Sequence, residues 1–320
     1  MASTIAPEQV TDARKLLSRY LSPTRLQPAV SLSRISGCEV SLKLESELPT
    51  GSFKVRGALY ALATNLQRCK MSQVVTASTG NHGAAVAYAA ALLSVRCTVF
   101  LPEDPNPTKR DRIVDLGATV IERGRDLTEA ATCAASYSDQ QDGYFLNDAT
   151  DPDLPAGPAT MACEILNQWP DTDTVVVPVG DTALIRGIAC AVRHLRPEMR
   201  IIGVLARNAP AYYHSWNAGH IVKIEQLPTI ADGLASQVPL PQNVDAIRGL
   251  VDELCLVSDK EMLGAIRQLI LKECVLSEPA GAAATAAVMN RRMSKLGKKV
   301  VTIVSGANIS PQVLTQVATL

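Results

Sequence analysis

The chain carries no excess charge of either sign: 31 lysines and arginines face 31 aspartates and glutamates over 320 residues. That balance removes the electrostatic footprint expected of a nucleic-acid or anionic-membrane partner. No apolar run approaches the roughly 18 residues needed to span a bilayer. The N-terminal segment mixes acidic and basic side chains with apolar ones and has no signal-peptide core, so a cytoplasmic protein is expected. None of the eight cysteines (Cys38, Cys69, Cys97, Cys133, Cys163, Cys190, Cys255 and Cys274) forms a C-x-x-C pair. They read as small buried hydrophobes in a reducing compartment. The four histidines are scattered, so no metal site is expected. Internal repeats, low-complexity linkers, a Walker G-K-[ST] loop and a G-x-G-x-x-G turn are all missing.

Strand-like and helix-like stretches alternate instead. Nearly half the residues are apolar, at 47%, which suits a compact globular protein. Gln73–Ser78, Val95–Leu101, Thr119–Glu122 and Tyr144–Leu146 read as strands. Asn81–Leu93, Lys109–Leu116 and Asp126–Ser138 read as the helices between them, with Asp126 as N-cap. After Asp151 the rhythm resumes. Helices are expected at Ala159–Trp169, Thr182–His194, Asp259–Lys272 and Ala280–Leu296, and strands at Thr174–Val179, Arg200–Leu205 and Lys299–Val304. This alternation predicts an α/β protein of open parallel sheets with helices on both faces, in two lobes. Ligands in such sheets bind at the carboxyl ends of strands.

Four segments at such ends carry polar chemistry. Pro49–Ala58 (PTGSFKVRGA) sets Lys54 between Phe53 and Val55; partial burial there would favour the neutral amine that Schiff-base chemistry needs. The bland alternative is a surface lysine opening a helix. Thr76–Gly83 (TASTGNHG) runs from a buried strand into a helix whose free N–H groups suit an anion, unless Ser78, Thr79 or Asn81 simply caps it. Val177–Gly187 (VPVGDTALIRG) repeats the arrangement as phosphate cradles do, or is a plain turn capped by Asp181. Val304–Asn308 (VSGAN) brings a hydroxyl, Ser305, to the same edge.

Together and in this order, these segments resemble the fold-type-II pyridoxal-phosphate (PLP) enzymes, the tryptophan-synthase-β-like superfamily. The nearest resemblance within it is to the threonine/serine dehydratase and serine racemase group. The resemblance runs from about Leu21 to Asn308 and also takes in Lys43-Leu44-Glu45, Glu164, Ala231-Asp232-Gly233-Leu234-Ala235 and Ser277-Glu278-Pro279-Ala280-Gly281-Ala282. It implies a cofactor cleft between a large lobe, residues 1–66 and 154–320, and a small lobe, 67–153. It implies that Lys54 carries PLP and then moves the substrate's Cα proton. By the same resemblance Phe53 lines the ring, Asn81 bonds the 3′-oxygen, Ser305 faces the ring nitrogen and Glu278 lies nearby. The phosphate falls to Gly180, Asp181, Thr182, Ala183 and Leu184, and the substrate carboxylate to Ser78, Thr79, Asn81 and His82.

The implied activity is an ammonia-lyase that removes water from a small hydroxy amino acid such as L-threonine, L-serine or 3-hydroxyaspartate. The alternatives are a serine- or aspartate-type racemase with Thr79 as acid/base, a β-replacement synthase, and a PLP-binding protein without turnover. A homodimer is implied by the resemblance alone. Three departures qualify it. The phosphate loop, glycine-rich in the dehydratases, reads Gly180-Asp181-Thr182-Ala183, so Asp181 must point away or meet a cation. Acidic metal ligands are absent after Leu205. The chain ends soon after Asn308, which leaves no room for a C-terminal regulatory domain. The 147–158 and 208–236 segments are expected to shape the side-chain pocket; the Tyr212–Trp216 cluster could belong to it but reads first as core or a subunit contact. Arg123, Arg125, Arg186 and Arg207 stay open as receptors for a second carboxylate.

Overall fold

The computed structural model describes residues 5–320. Its strands are β1 (Leu26–Pro28), β2 (Glu39–Leu44), β3 (Gln73–Ala77), β4 (Arg96–Leu101), β5 (Thr119–Glu122), β6 (Tyr144–Phe145), β7 (Thr174–Pro178), β8 (Arg200–Ala206), β9 (Glu253–Val257) and β10 (Lys299–Val304). The helices that precede residue 150 are α1 (Pro7–Leu17), α2 (Val30–Ser36), α3 (Lys54–Arg68), α4 (Asn81–Leu92), α5 (Pro107–Asp115) and α6 (Leu127–Gln140). Those that follow are α7 (Ala156–Gln168), α8 (Ala183–Leu195), α9 (Ala211–Ala218), α10 (Pro241–Leu250), α11 (Asp259–Gln268), α12 (Pro279–Met289) and α13 (Pro311–Ala318).

Two sheets organise the molecule. One has the strand order β1-β2-β10-β7-β8-β9, the other β5-β4-β3-β6. Every pairing is parallel except β1 with β2. The central strands β7 and β10 are buried almost throughout, as β-branched runs covered by helices on both sides must be. The expected α/β architecture is present. One apolar cluster joins α2, α11, α12 and α13 to one face of the larger sheet. A second places α7, α8 and α10 on its other face. A third gathers α1, α3 and α4 with the smaller sheet.

Most expected elements stand within a residue or three of their predicted bounds, and Asp126 does cap α6, accepting from the Glu129 N–H. Three expectations need correction. The helix predicted to Leu296 ends at Met289; Arg291 turns the chain through a left-handed φ of 50°, and Met293 folds back into the core. The helix predicted over Asp259–Lys272 changes winding after Gln268, where Leu269–Glu273 form a π-helical turn ended by Cys274 at φ 55°. The cysteines are not uniformly buried: Cys97, Cys163 and Cys255 are, while Cys69 and Cys274 are exposed.

A buried ionic network locks α3 to α7 and β2. Arg56 donates from Nε to Glu45 Oε2 at 2.7 Å and from Nη1 to Glu164 Oε1 at 2.6 Å. Lys43 Nζ reaches Glu164 Oε2 at 2.6 Å, the Thr24 carbonyl at 2.8 Å and Gln168 Oε1 at 3.0 Å. Two cations and two carboxylates thus satisfy one another. α7 comes close because residue 157 is glycine: a Cβ there would collide with the Arg56 carbonyl.

Candidate active site

Four strand ends converge on one cleft: those of β3, β6, β7 and β10. The lysine segment is stitched to the end of β10. Phe53 N–H donates to the Ser305 carbonyl at 3.0 Å and Ala307 N–H to the Gly51 carbonyl at 2.9 Å. Lys54, the first residue of α3, therefore projects into the cleft beside Ser305. Its Nζ lies 5.5 Å from the centre of the Phe53 ring. The sequence suggests an amine left in apolar surroundings. Instead Nζ is ion-paired with Asp148 Oδ2, in the loop after β6.

The sequence points to the 147–158 segment but does not single out Asp148 within it. Its loop carries no motif, and only parallel pairing of β6 with β3 brings it to the lysine. The carboxylate is four-fifths buried. Burial works against its charge, but Lys54 and then His82 outweigh that and hold the carboxyl below its usual range. Its Oδ1 has no hydrogen-bond partner and lies 3.7 Å from His82 Nδ1, also unpartnered. His82 Nε2 is within 3.0 Å of the Leu146 carbonyl, so this ring is tied to the β6 loop rather than free for a substrate. Burial lowers its basicity.

The end of β3 leads into α4 without a side-chain cap. The capping alternative for Ser78, Thr79 and Asn81 is thus not realised; Ser78 Oγ instead accepts the Gly80 N–H at 3.2 Å. The first N–H groups of α4 stay available at the helix's positive end. Ser78 and Thr79 are half-buried at this mouth. Asn81 lines the cleft and bridges to the segments that flank β10. Its Nδ2 donates to Glu278 Oε1 at 2.6 Å, and its Oδ1 accepts from Asn308 Nδ2 at 2.6 Å. Burial pushes the Glu278 carboxyl up to about 7.

The end of β7 leads into α8, also uncapped by any side chain. Gly180, Asp181, Thr182, Ala183 and Leu184 all line the cleft. Gly180 is required, because a Cβ would run into the Gly233 carbonyl. Thr182 sits at φ 71°, ψ −8°, a left-handed conformation unusual for a β-branched residue. The plain-turn reading, with Asp181 as cap, is overturned: Asp181 Oδ1 accepts from Ser236 Oγ at 2.6 Å. Burial, then the nearby Asp148, raises its pKa. The structure therefore brings Phe53, Lys54, Asn81, Gly180–Leu184, Glu278 and Ser305 onto one cleft, with Ser78, Thr79 and His82 at its β3 side. The Tyr212–Trp216 cluster is α9, and Tyr212 packs in the core with its hydroxyl accepting from Asn243 Nδ2 at 3.3 Å.

Comparison with known proteins decides the family. The profile described as "Pyridoxal-phosphate dependent enzyme" matches residues 17–306. The chain belongs to the pyridoxal-phosphate-dependent enzymes. It is similar to an L-threonine ammonia-lyase of Geobacter sulfurreducens, 37% identical over 308 residues, 96% of this chain and 77% of that protein. Among solved structures it is similar to maize serine racemase, with a TM-score of 0.92 and 26% identity, covering 100% of this chain and 98% of that one. It is also similar to the threonine deaminase of T.th., with a TM-score of 0.89 and 30% identity, covering 96% of this chain and 99% of that one.

The cofactor of this PLP enzyme is pyridoxal 5′-phosphate, and the cleft fits it. A primary amine stands at one wall. Uncapped helix N-termini offer N–H groups to two anions, and the absence of a Cβ at Gly180 lets its loop pack directly against the Gly233 carbonyl at the cleft wall. The misfit is Asp181, a carboxyl group in the loop suited to phosphate.

Proposed function

We propose that this PLP enzyme is an ammonia-lyase that eliminates water from a small β-hydroxy amino acid, giving a 2-oxo acid and ammonia. L-Threonine, L-serine and 3-hydroxyaspartate are the candidate substrates. The observation that carries the reading is the convergence of Lys54 with two uncapped helix N-termini in one cleft, in a chain 37% identical to an L-threonine ammonia-lyase. When bound, PLP supplies the electron sink that weakens the Cα–H bond and drives out the β-substituent.

The protein's own residues do the rest. Lys54 Nζ holds the cofactor, then moves the Cα proton. Asp148 keeps that side chain in the cleft. The α4 N-terminus binds the substrate carboxylate with Ser78, Thr79 and Asn81, and His82 contributes its N–H, its ring being tied elsewhere. The α8 N-terminus, Gly180 to Leu184, takes the phosphate. Phe53 and Glu278 would bound the ring, Asn81 would bond its 3′-oxygen, and Ser305 would face its nitrogen. A hydroxyl there does not hold the nitrogen protonated as a carboxylate would. That would suit loss of a β-leaving group.

The residue ranges of the two sheets support a large lobe of 1–66 and 154–320 and a small one of 67–153. Eight unpaired cysteines suit the reducing cytoplasm, and we expect a homodimer, to be read by light scattering. The activity is tested by supplying PLP-loaded protein with each candidate substrate and no other nucleophile. Release of 2-oxo acid from one of them is the expected result. Interconversion of enantiomers without oxo acid would make the chain a racemase. Turnover only with an added nucleophile would make it a synthase.

A further inference from the structure

Arg186 is the unusual residue of this loop's surroundings. It lies in the first turn of α8, four residues after Thr182. Its side chain is buried, with the residue 6% exposed, and it forms no salt bridge within 4.0 Å among the described residues. Nε donates to Thr182 Oγ1 at 3.0 Å, while Nη2 has no hydrogen-bond partner among the described residues. A guanidinium removed from water without a counter-ion is costly. Its pKa is lowered by that burial.

The walls nearby carry more carboxyl groups than cations. Asp148, Asp181 and Glu278 line the cleft, and Lys54 already serves Asp148. A phosphate dianion brought to Gly180–Leu184 would meet Asp181, where glycine donors would have offered no repulsion. Both anomalies resolve together. We propose that Arg186 is the counter-charge of the cofactor's phosphate, positioned through Thr182, which allows an anion loop containing Asp181 to bind PLP. The left-handed Thr182 then has a purpose: it lines the cleft while its hydroxyl accepts from Arg186 Nε at 3.0 Å.

This inference rests on the PLP reading of the cleft and adds a positioning residue to it. The test compares PLP with pyridoxal, which keeps the aldehyde and lacks the phosphate, as ligands of cofactor-stripped protein. Arg186→Gln is expected to weaken PLP about 10- to 100-fold, the range for losing a charge-assisted contact, and to leave pyridoxal within about twofold. Arg186→Lys restores part of the loss, as does adding Asp181→Asn to Arg186→Gln. The phosphorus resonance of bound PLP reads the same point without turnover: it stays in the dianion position to lower pH in wild type than in Arg186→Gln. If Arg186→Gln does not fold, Thr182→Gly removes the brace without backbone strain and is expected to weaken PLP selectively too. Equal loss of PLP and pyridoxal, or unchanged PLP affinity and phosphorus titration, overturns the proposal. Unchanged PLP affinity with a raised KM for 3-hydroxyaspartate alone also overturns it and assigns Arg186 to the substrate. Wild-type protein that takes up neither aldehyde defeats the PLP reading itself.

Discussion

Two buried ionic clusters flank the first turn of α3 and are built on opposite principles. Around Arg56, each charge has its partner: Glu45, Glu164 and Lys43 close every strong bond within the protein. Around Lys54 the bonding stays incomplete. Asp148 Oδ1, His82 Nδ1 and Arg186 Nη2 are buried without partners, and carboxylates outnumber cations. Both clusters begin on the same helix, with Lys54 and Arg56 two residues apart. A saturated network fixes where elements sit; an unsaturated one is left for a ligand to complete. The lesson is that the proportion of unmet polar atoms, rather than burial or charge, separates the site from its scaffold.

The contrast can be broken most sharply at its two centres. Lys54→Ala should abolish turnover and the absorbance of lysine-bound cofactor, while thermal unfolding of the cofactor-free protein barely changes. Arg56→Met should do the reverse first, costing about 3–5 kcal/mol of stability by stranding Glu45 and Glu164, measured by denaturant unfolding. If Arg56→Met proved as stable as wild type, the saturated network would not be the scaffold.

A finer comparison pits Glu164→Gln against Asp148→Asn. The first should destabilise strongly. The second should cost about 1 kcal/mol or less, because Lys54 and Asp148 keep some solvent, yet lower kcat about tenfold or more by releasing the lysine. Equal stability losses would erase the distinction.

A third comparison is a pH dependence. Glu278 is pushed up to about 7 by burial, from an ordinary 4.5. Between those values the folded protein holds a proton that the unfolded chain has released. Stability of the cofactor-free protein therefore falls as pH rises from about 4.5 to about 7, and Glu278→Gln removes that part of the slope. Unfolding midpoints of both proteins across this range check the sign. An unchanged slope in the variant would mean that Glu278 is ordinary.

Much of this is legible in the chain because β-branched runs mark buried parallel strands and small polar residues mark their ends. Those signals place β3, β7 and β10, and with them Asn81, Thr182 and Ser305. Short edge elements are harder. β1 and β9 carry brief, mixed patterns, and β6 pairs through only two residues. Asp148 follows that short strand, so its meeting with Lys54 depends on a pairing that local sequence does not specify. His82 is legible only in part: its place beside Asn81 suggests the substrate, and local sequence does not show that the β6 loop takes its ring. Arg186 looks like any helical arginine until burial and an unpartnered Nη2 set it apart.

The most direct test of the account is chemical mapping of the lysine. PLP-loaded protein is reduced with borohydride, digested, and the pyridoxyl-bearing peptide identified by mass spectrometry. The account predicts one modified residue, Lys54, and none in Lys54→Ala. A pyridoxyl group on another lysine, or none in wild type, would contradict it.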